Sequence, residues 1–333
     1  MISKRFQNDN KRLLKLNSLQ MSMVDQINTK IGIKRYEFED ISCAICSSVS
    51  FESLAEKDRY GLYYPVKICN QCGLVQANPR MTNSAYEEFY ENEYRSLYVG
   101  IDKPSKEFFY GQYRKGKKVY QFLKKHNILP VGERPFVFEI GCGAGGILHF
   151  FREQGYATKG IDLGSEYLGY GINEYGLDLS RGSLKNITLD TNPDLIIYSH
   201  VFEHILDLNV ELSRIKGLCG PRTIVYIEAP GLKNIHSKYK MDTLLYLQNA
   251  HTYHFSLQTL CNILGKNGFA LIGGNEYIRS AFKLQDSPKA AATKSDFRSA
   301  MFYLAVVERL NKYHFGKLVL LRNFVRSIID RFE

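Results

Sequence analysis

Four cysteines stand in two matched pairs, Cys43-Ala-Ile-Cys46 and Cys69-Asn-Gln-Cys72, and each spacing brings two thiolates onto one turn. Two such turns can close a tetrahedron of four sulfurs around zinc. A shell closed in that way leaves no coordination position for water, so its expected role is to stabilise a module too small for an adequate core of its own. Gly73, directly after the second pair, suits a turn that needs positive φ. A redox pair is the competing use of CxxC, but it does not call for two matched pairs, and no thioredoxin-like βαβ pattern surrounds either.

The second constellation is Glu139-Ile-Gly141-Cys-Gly143-Ala-Gly145-Gly146, placed where the apolar strand FVFEI turns into a helix. Its glycines let the backbone bend sharply and let a ligand lie against it. Taken alone, the loop is also the GxGxxG of a dinucleotide site, through Gly141, Gly143 and Gly146, with Asp162 at nearly the spacing of that fingerprint's ribose-binding acid. Either cofactor would use Asp162 on ribose hydroxyls. Glu139 separates the two, because a carboxylate beside the loop repels a pyrophosphate but can orient the cationic methionine portion of S-adenosylmethionine.

Histidines form the third group. His200 closes the apolar strand-like run DLIIYSH, where ligands of open α/β sheets sit, and Glu203-His204 follow at the start of the next helix. Such a pair serves acid–base chemistry or caps the helix with a core-facing ring, and for His204 the structural role is the first expectation. His251 and His254 stand ahead of LQTLCNILGKNGF, where helix-entry packing is the competing role.

These residues need elements to hold them. From Pro135 to Phe269, strand-like and helical segments alternate, which requires a mostly parallel sheet. The linear pattern suggests a basic lead-in over 1–40, a zinc-binding module of short strands over 41–80, a helical linker or lid over 81–134, the Rossmann-like domain over 135–282 and a basic helical tail over 283–333. Leu13, Leu14 and Leu16 suggest a short amphipathic helix in the lead-in, and Met301, Leu304, Val307, Leu310, Phe315 and Leu318 recur at helical spacing in the tail.

The chain has 333 residues, 44% of them apolar and 23% charged, which suffices for one large domain and a smaller appendage. Its net charge of +10 favours anionic partners without selecting among nucleotides, phosphorylated sugars, nucleic acid or an acidic membrane surface. The first twenty residues lack the apolar core of a signal peptide and no run reaches membrane-span length, so the expectation is a soluble cytoplasmic protein without a transmembrane segment.

Taken in order, FEIGCGAGG, GIDLGSEYL, RGSL, DLIIYSHVFEHI, IVYIEAPG and HFSLQTLCNILGKNGF resemble class I S-adenosylmethionine-dependent methyltransferases. The resemblance implies that Ser183 and Leu184 border the adenine and that His200 faces the sulfonium. With CNQCGLVQANP in front, the chain is also similar to bacterial sugar C-methyltransferases and related natural-product and surface-polysaccharide enzymes. In those enzymes a Glu-His pair precedes an aromatic-Phe-Ser segment, and Tyr94-Arg95 resembles the tyrosine segment that covers their cofactor. This chain keeps the histidine as His251 but has Ala250 in place of the acid, and it lacks room for the family's second large C-terminal domain. The resemblance therefore implies methyl transfer to a hydroxyl of a nucleotide sugar or surface glycan, with His251 as first choice of proton acceptor and His254 or His204 as rivals. No step of that chemistry demands a catalytic metal. Arg95, Arg114, Lys115, Lys117 and Lys118 suit a phosphorylated acceptor. Sugar C-methylation, RNA or small-metabolite methylation, a nicotinamide-dependent oxidoreductase and a nucleic-acid-binding zinc protein remain the alternatives.

Overall fold

Short apolar runs that alternate with helical segments need a sheet covered on both faces. The computed structural model, which describes residues 1, 3–100, 104–285 and 293–313, builds such a sheet. Its strands are β1 (Phe136–Ile140), β2 (Ala157–Asp162), β3 (Leu179–Arg181), β4 (Leu195–Ser199), β5 (Ile224–Glu228), β6 (Phe269–Asn275) and β7 (Arg279–Leu284). They lie in the order β6-β7-β5-β4-β1-β2-β3. The first five are mutually parallel, whereas β7 runs antiparallel to both β5 and β6. This is the class I methyltransferase sheet that the motifs implied.

β2 and β3 lie to one side of β1, and β4 and β5 to the other, so the crossovers diverge there and open a crevice at the carboxyl ends of β1 and β4. Val137, Phe138, Leu195, Ile196 and Ile197 are fully buried, as the central strands of a covered sheet must be. The helix Lys106–Lys125 begins at Ser105, whose hydroxyl accepts from the Phe108 N–H at 3.1 Å, and it turns Phe109, Val119, Phe122 and Leu123 into the same core. It passes so close to the helix Gly146–Glu153 that a Cβ on Gly146 would stand 2.3 Å from the Phe109 carbonyl oxygen.

The chain divides into two units. One comprises Ile101–Ala229 and Cys261–Ala292 and holds this sheet; the other comprises Met1–Gly100, Pro230–Leu260 and the chain from Thr293. The second unit contains a four-stranded antiparallel sheet in the order Tyr253–His254, Val75–Ala77, Tyr63–Cys69, Phe51–Lys57. Its three stretches of sequence meet at Arg5, whose Nε donates to Glu308 Oε1 at 2.6 Å while Nη2 donates to Asp242 Oδ1 at 2.8 Å and Glu308 Oε2 at 2.7 Å. A forked guanidinium holding two carboxylates fixes direction as well as distance.

This division differs from the linear one. Residues 230–260, expected within the Rossmann-like domain, supply Leu232, Ile235, Leu244 and Tyr246 to the other unit's core. The expected lead-in is ordered: Leu13, Leu14 and Leu16 precede a helix, Ser18–Gly32, that starts with a capping box between Asn17 and Gln20 and buries Met23, Val24 and Ile27. The stretch 81–134 is shared, with Asn83–Asn92 and Tyr94–Val99 in one unit and Lys106–Lys125 in the other. In the tail, the helix Phe297–Lys312 packs Ala300, Tyr303, Leu304 and Val307 into the core that contains Phe6 and Val66; Phe315 and Leu318 lie outside the described residues. Composition along the chain marks local change, whereas a core is shared by segments distant in sequence. Gly146→Ala should therefore push the two helices apart and destabilise the sheet-bearing unit by about 1–3 kcal/mol, read as a lower denaturation midpoint.

Candidate active site and metal centre

The two CxxC turns are built alike. Cys43 N–H donates to Ser48 O at 2.9 Å and Ser47 N–H returns to Cys43 O at 2.8 Å; Cys69 N–H donates to Leu74 O at 2.9 Å and Gly73 N–H to Cys69 O at 2.9 Å. Both turns need a left-handed residue after the second cysteine, which is Gly73 at φ 81° in one and Ser47 at φ 59° in the other. They bring Cys43 Sγ to 3.4 Å from Cys72 Sγ and Cys46 Sγ to 3.5 Å from Cys69 Sγ, and all four sulfurs lie within 4.8 Å of one another. Four thiolates bound at about 2.3 Å around zinc stand about 3.8 Å apart, so this donor set fits the ion with little adjustment. Hydrogen bonding to Cys69, with burial added, pushes the Cys43 thiol up to about 12, while Cys69 accepts from its neighbours and is held down as the thiolate. A cation in the centre would let all four ionise.

At the carboxyl end of the other sheet, Glu139 is the penultimate residue of β1 and is 1% exposed, and its Oε2 has no hydrogen-bond partner. Burial, followed by repulsion from Asp162, pushes this carboxyl well above the usual range. Asp162 closes β2 and organises the backbone around it: Oδ2 accepts from Gly143 N–H and Oδ1 from Gly164 N–H, each at 2.8 Å, and its carbonyl accepts from Gly182 N–H at 3.0 Å. That last bond draws the segment bearing Ser183 and the buried Leu184 to Asp162. Gly141, Gly143 and Gly145 all have positive φ, and a Cβ on Gly141 would meet Val201 Cγ2 at 2.3 Å. The glycines are therefore dictated by the loop's own path, and the unpaired carboxylate beside them suits a cationic ligand.

Gln112, in the helix Lys106–Lys125, is a residue the motifs do not reveal. Its amide lies over the glycine loop, donating from Nε2 to Cys142 O at 3.0 Å and accepting at Oε1 from Ala144 N–H at 3.2 Å and Gly146 N–H at 3.4 Å. Glu228 and Arg279 are likewise unmarked in sequence; they close β5 and open β7 and pair at 3.1 Å. Burial pushes Glu228 up, yet His200 and Arg279 outweigh it and hold the carboxylate below its ordinary range.

His200 follows β4 with a left-handed backbone, φ 59°, and its N–H donates to Glu228 O at 2.8 Å. Glu203 and His204 occupy the short 3-10 turn Phe202–His204 that comes next. In the four-cysteine unit, His254 is 0% exposed and its Nε2 lies 2.9 Å from Tyr64 Oη, the setting of a core histidine. His251, also buried, bonds through Nε2 to Gln248, and Tyr64 Oη donates to its carbonyl. Ala250 is fully buried, with its N–H on Tyr98 Oη at 3.2 Å and its carbonyl on Tyr86 Oη at 2.6 Å. Tyr94 stacks on Tyr90 with ring centroids 4.2 Å apart.

A family model described as a methyltransferase domain matches residues 113–273. No curated protein sequence matches the chain. Among solved structures, it is similar to DesVI of Streptomyces venezuelae at 15% identity, over 43% of this chain and 55% of that one, with a TM-score of 0.30. It is also similar to CalS10 of Micromonospora echinaspora, an amino pentose methyltransferase, at 15% identity over 42% and 55% of the two chains and a TM-score of 0.31. A TehB-like S-adenosylmethionine-dependent methyltransferase from Corynebacterium glutamicum shows 17% identity over 61% of this chain and 100% of that one, with a TM-score of 0.37. The first two matches thus take in little more than half of their relatives' length.

Two outcomes follow from the site's chemistry. Cys69→Ser should remove one mole of bound zinc per chain by metal analysis and lower the thermal midpoint, and a strong chelator should do the same to the unmutated protein. Glu139→Gln should stabilise the protein at neutral pH: a buried acid with a raised folded-state pKa contributes its full stability below its unfolded pKa and loses it as pH rises through the folded one. The thermal midpoints of the two proteins should therefore converge in acid and separate as pH rises.

Proposed function

We propose that this chain transfers the methyl group of S-adenosylmethionine to a sugar hydroxyl, on a nucleotide-linked sugar or a growing surface glycan. The observation that carries the reading is the buried, unpaired Glu139 carboxylate beside a positive-φ glycine loop and Asp162, within a methyltransferase domain. When bound, S-adenosylmethionine supplies a methyl group on a sulfonium sulfur, open to displacement in line. Glu139 would hold the cationic methionine portion and Asp162 the ribose hydroxyls, with Ser183 and Leu184 bordering the adenine. Gln112 would keep the loop amides at fixed positions, so that catalysis draws on positioning more than on acid–base work.

A sugar acceptor is favoured by the four-cysteine front with its CNQCGLVQANP segment, which resembles that of the sugar methyltransferases, and by a net charge of +10 that suits a phosphorylated ligand. The hydroxyl is favoured over carbon because Ala250 offers no acid and its place is filled by packed tyrosines. Taking a proton from carbon needs a stronger base than taking one from a hydroxyl that is already forming its new bond. By the resemblance alone, His251 is the first choice of proton acceptor, with His254 and His204 as rivals; His251 is engaged by Gln248 and His254 by Tyr64.

Calorimetry with each cofactor, followed by incubation with methyl-labelled S-adenosylmethionine and a panel of nucleotide sugars and glycans, tests the reading. S-Adenosylmethionine should bind and NAD should not. Glu139→Gln should weaken binding by about 10- to 100-fold, the worth of one charge-assisted hydrogen bond, and mass spectrometry should place the label on a sugar oxygen. NAD binding without S-adenosylmethionine binding would overturn the cofactor, and label in RNA alone would overturn the acceptor.

A further inference from the structure

Every backbone N–H from Gly141 to Gly146 is bonded within the chain. Gly141 and Cys142 donate to Ile161 O at 2.8 and 3.0 Å, Gly143 to Asp162 Oδ2 at 2.8 Å and Gly145 to Cys142 O at 2.9 Å. The remaining two, Ala144 and Gly146, stand at the start of the helix Gly146–Glu153 and share one acceptor, Gln112 Oε1, at 3.2 and 3.4 Å. A glycine-rich turn from strand to helix binds phosphate through such leading N–H groups, aided by the partial positive charge of the helix end. Here a carboxamide oxygen of the chain takes that position.

We infer that Gln112 is a specificity-determining residue: it closes the anion site that the glycine loop would otherwise offer, so that the loop admits a nucleoside cofactor and rejects one joined through phosphates. The inference rests on the reading of S-adenosylmethionine as the cofactor and gives that choice a cause besides the charge of Glu139.

The network fixes the sense of the amide. Nε2 donates to Cys142 O at 3.0 Å, and reversing the group would set an NH2 against two N–H donors and an oxygen against a carbonyl. A glutamate would keep the acceptor and lose that donor. The fingerprint glycines are spent on the same approach. A Cβ on Gly143 would stand 2.7 Å from Gln112 Nε2, and one on Gly146 would stand 2.7 Å from Gln112 Cβ and 2.3 Å from the Phe109 carbonyl oxygen. In a dinucleotide site such glycines let the pyrophosphate reach the backbone; here they let the helix Lys106–Lys125 reach it. The other four N–H groups find acceptors in β2 and in the loop itself, so the start of the helix is closed by Gln112 from outside the motif.

The test compares the full-length protein with Gln112→Ala. Inorganic phosphate is titrated while the Ala144 and Gly146 amide resonances are followed by NMR, and NAD and S-adenosylmethionine are titrated by calorimetry. Phosphate should leave both resonances of the parent unmoved, and NAD should not bind it. In Gln112→Ala the bared N–H groups should take up phosphate, shifting both resonances to saturation with an affinity at least about tenfold above the parent's, the least that two charge-assisted hydrogen bonds should add. Should Gln112→Ala fail to fold, Gln112→Asn, whose amide is one methylene short of the loop, carries the same comparison. A residue that merely braced the loop would lower S-adenosylmethionine affinity on removal with no gain of phosphate, and that result overturns the inference, as do phosphate shifts in the parent or NAD binding to it. The two readings separate on the same samples: S-adenosylmethionine binding to the parent with no phosphate gained by the variant sinks only the role of Gln112, and phosphate gained by the variant with no S-adenosylmethionine binding to the parent sinks only the cofactor reading.

Discussion

A carboxylate buried near the end of β1, with a second acid at the end of β2, is the constraint around which the sheet-bearing unit is arranged. Burial, and after it Asp162, oppose ionisation of Glu139 and push its carboxyl well above the ordinary range. A ligand that carries positive charge reverses the balance, so binding and ionisation of Glu139 are one equilibrium. Stability given up at an acid of this kind is the usual mark of a site kept for function rather than for folding.

Holding that acid in place requires a rigid loop, and the loop is held from three directions. Asp162 accepts from Gly143, Gln112 spans Cys142, Ala144 and Gly146, and Val201 closes against Gly141. None of these contacts tolerates an added Cβ on the glycine concerned without movement. The same economy of space brings the helix Lys106–Lys125 onto Gly146, which is how a glutamine thirty residues before the motif becomes part of it.

The other unit solves a different problem. Its antiparallel sheet is small, and its core is assembled from the N-terminal hundred residues, residues 230–260 and the helix Phe297–Lys312. Long-range closure of this kind has an entropic cost. It is offset at points that bind segments together: the Arg5 fork onto Asp242 and Glu308, the Lys233–Asp296 pair at 2.8 Å, and the four sulfurs whose spacing fits zinc. Asp296 N–H also donates to Cys72 O at 3.1 Å, which ties the start of the C-terminal helix to the second cysteine turn.

The amino-acid sequence alone determined the strand–helix alternation, the class of sheet and the two CxxC turns, because each is written in residues within about a dozen positions of one another: apolar runs, glycines at a strand end, cysteines two apart. Glu139 and Asp162 were legible for the same reason, since each stands at or beside the end of its strand. Tertiary structure alone decided which segments share a core, that Ser18–Gly32 is an ordered helix and that residues 230–260 belong with the four-cysteine unit. It also decided that Gln112 clamps the glycine loop and that His254 is held by Tyr64. Those outcomes depend on side chains brought together by closure of the chain over tens to hundreds of residues, and no local period or spacing records where such closures end.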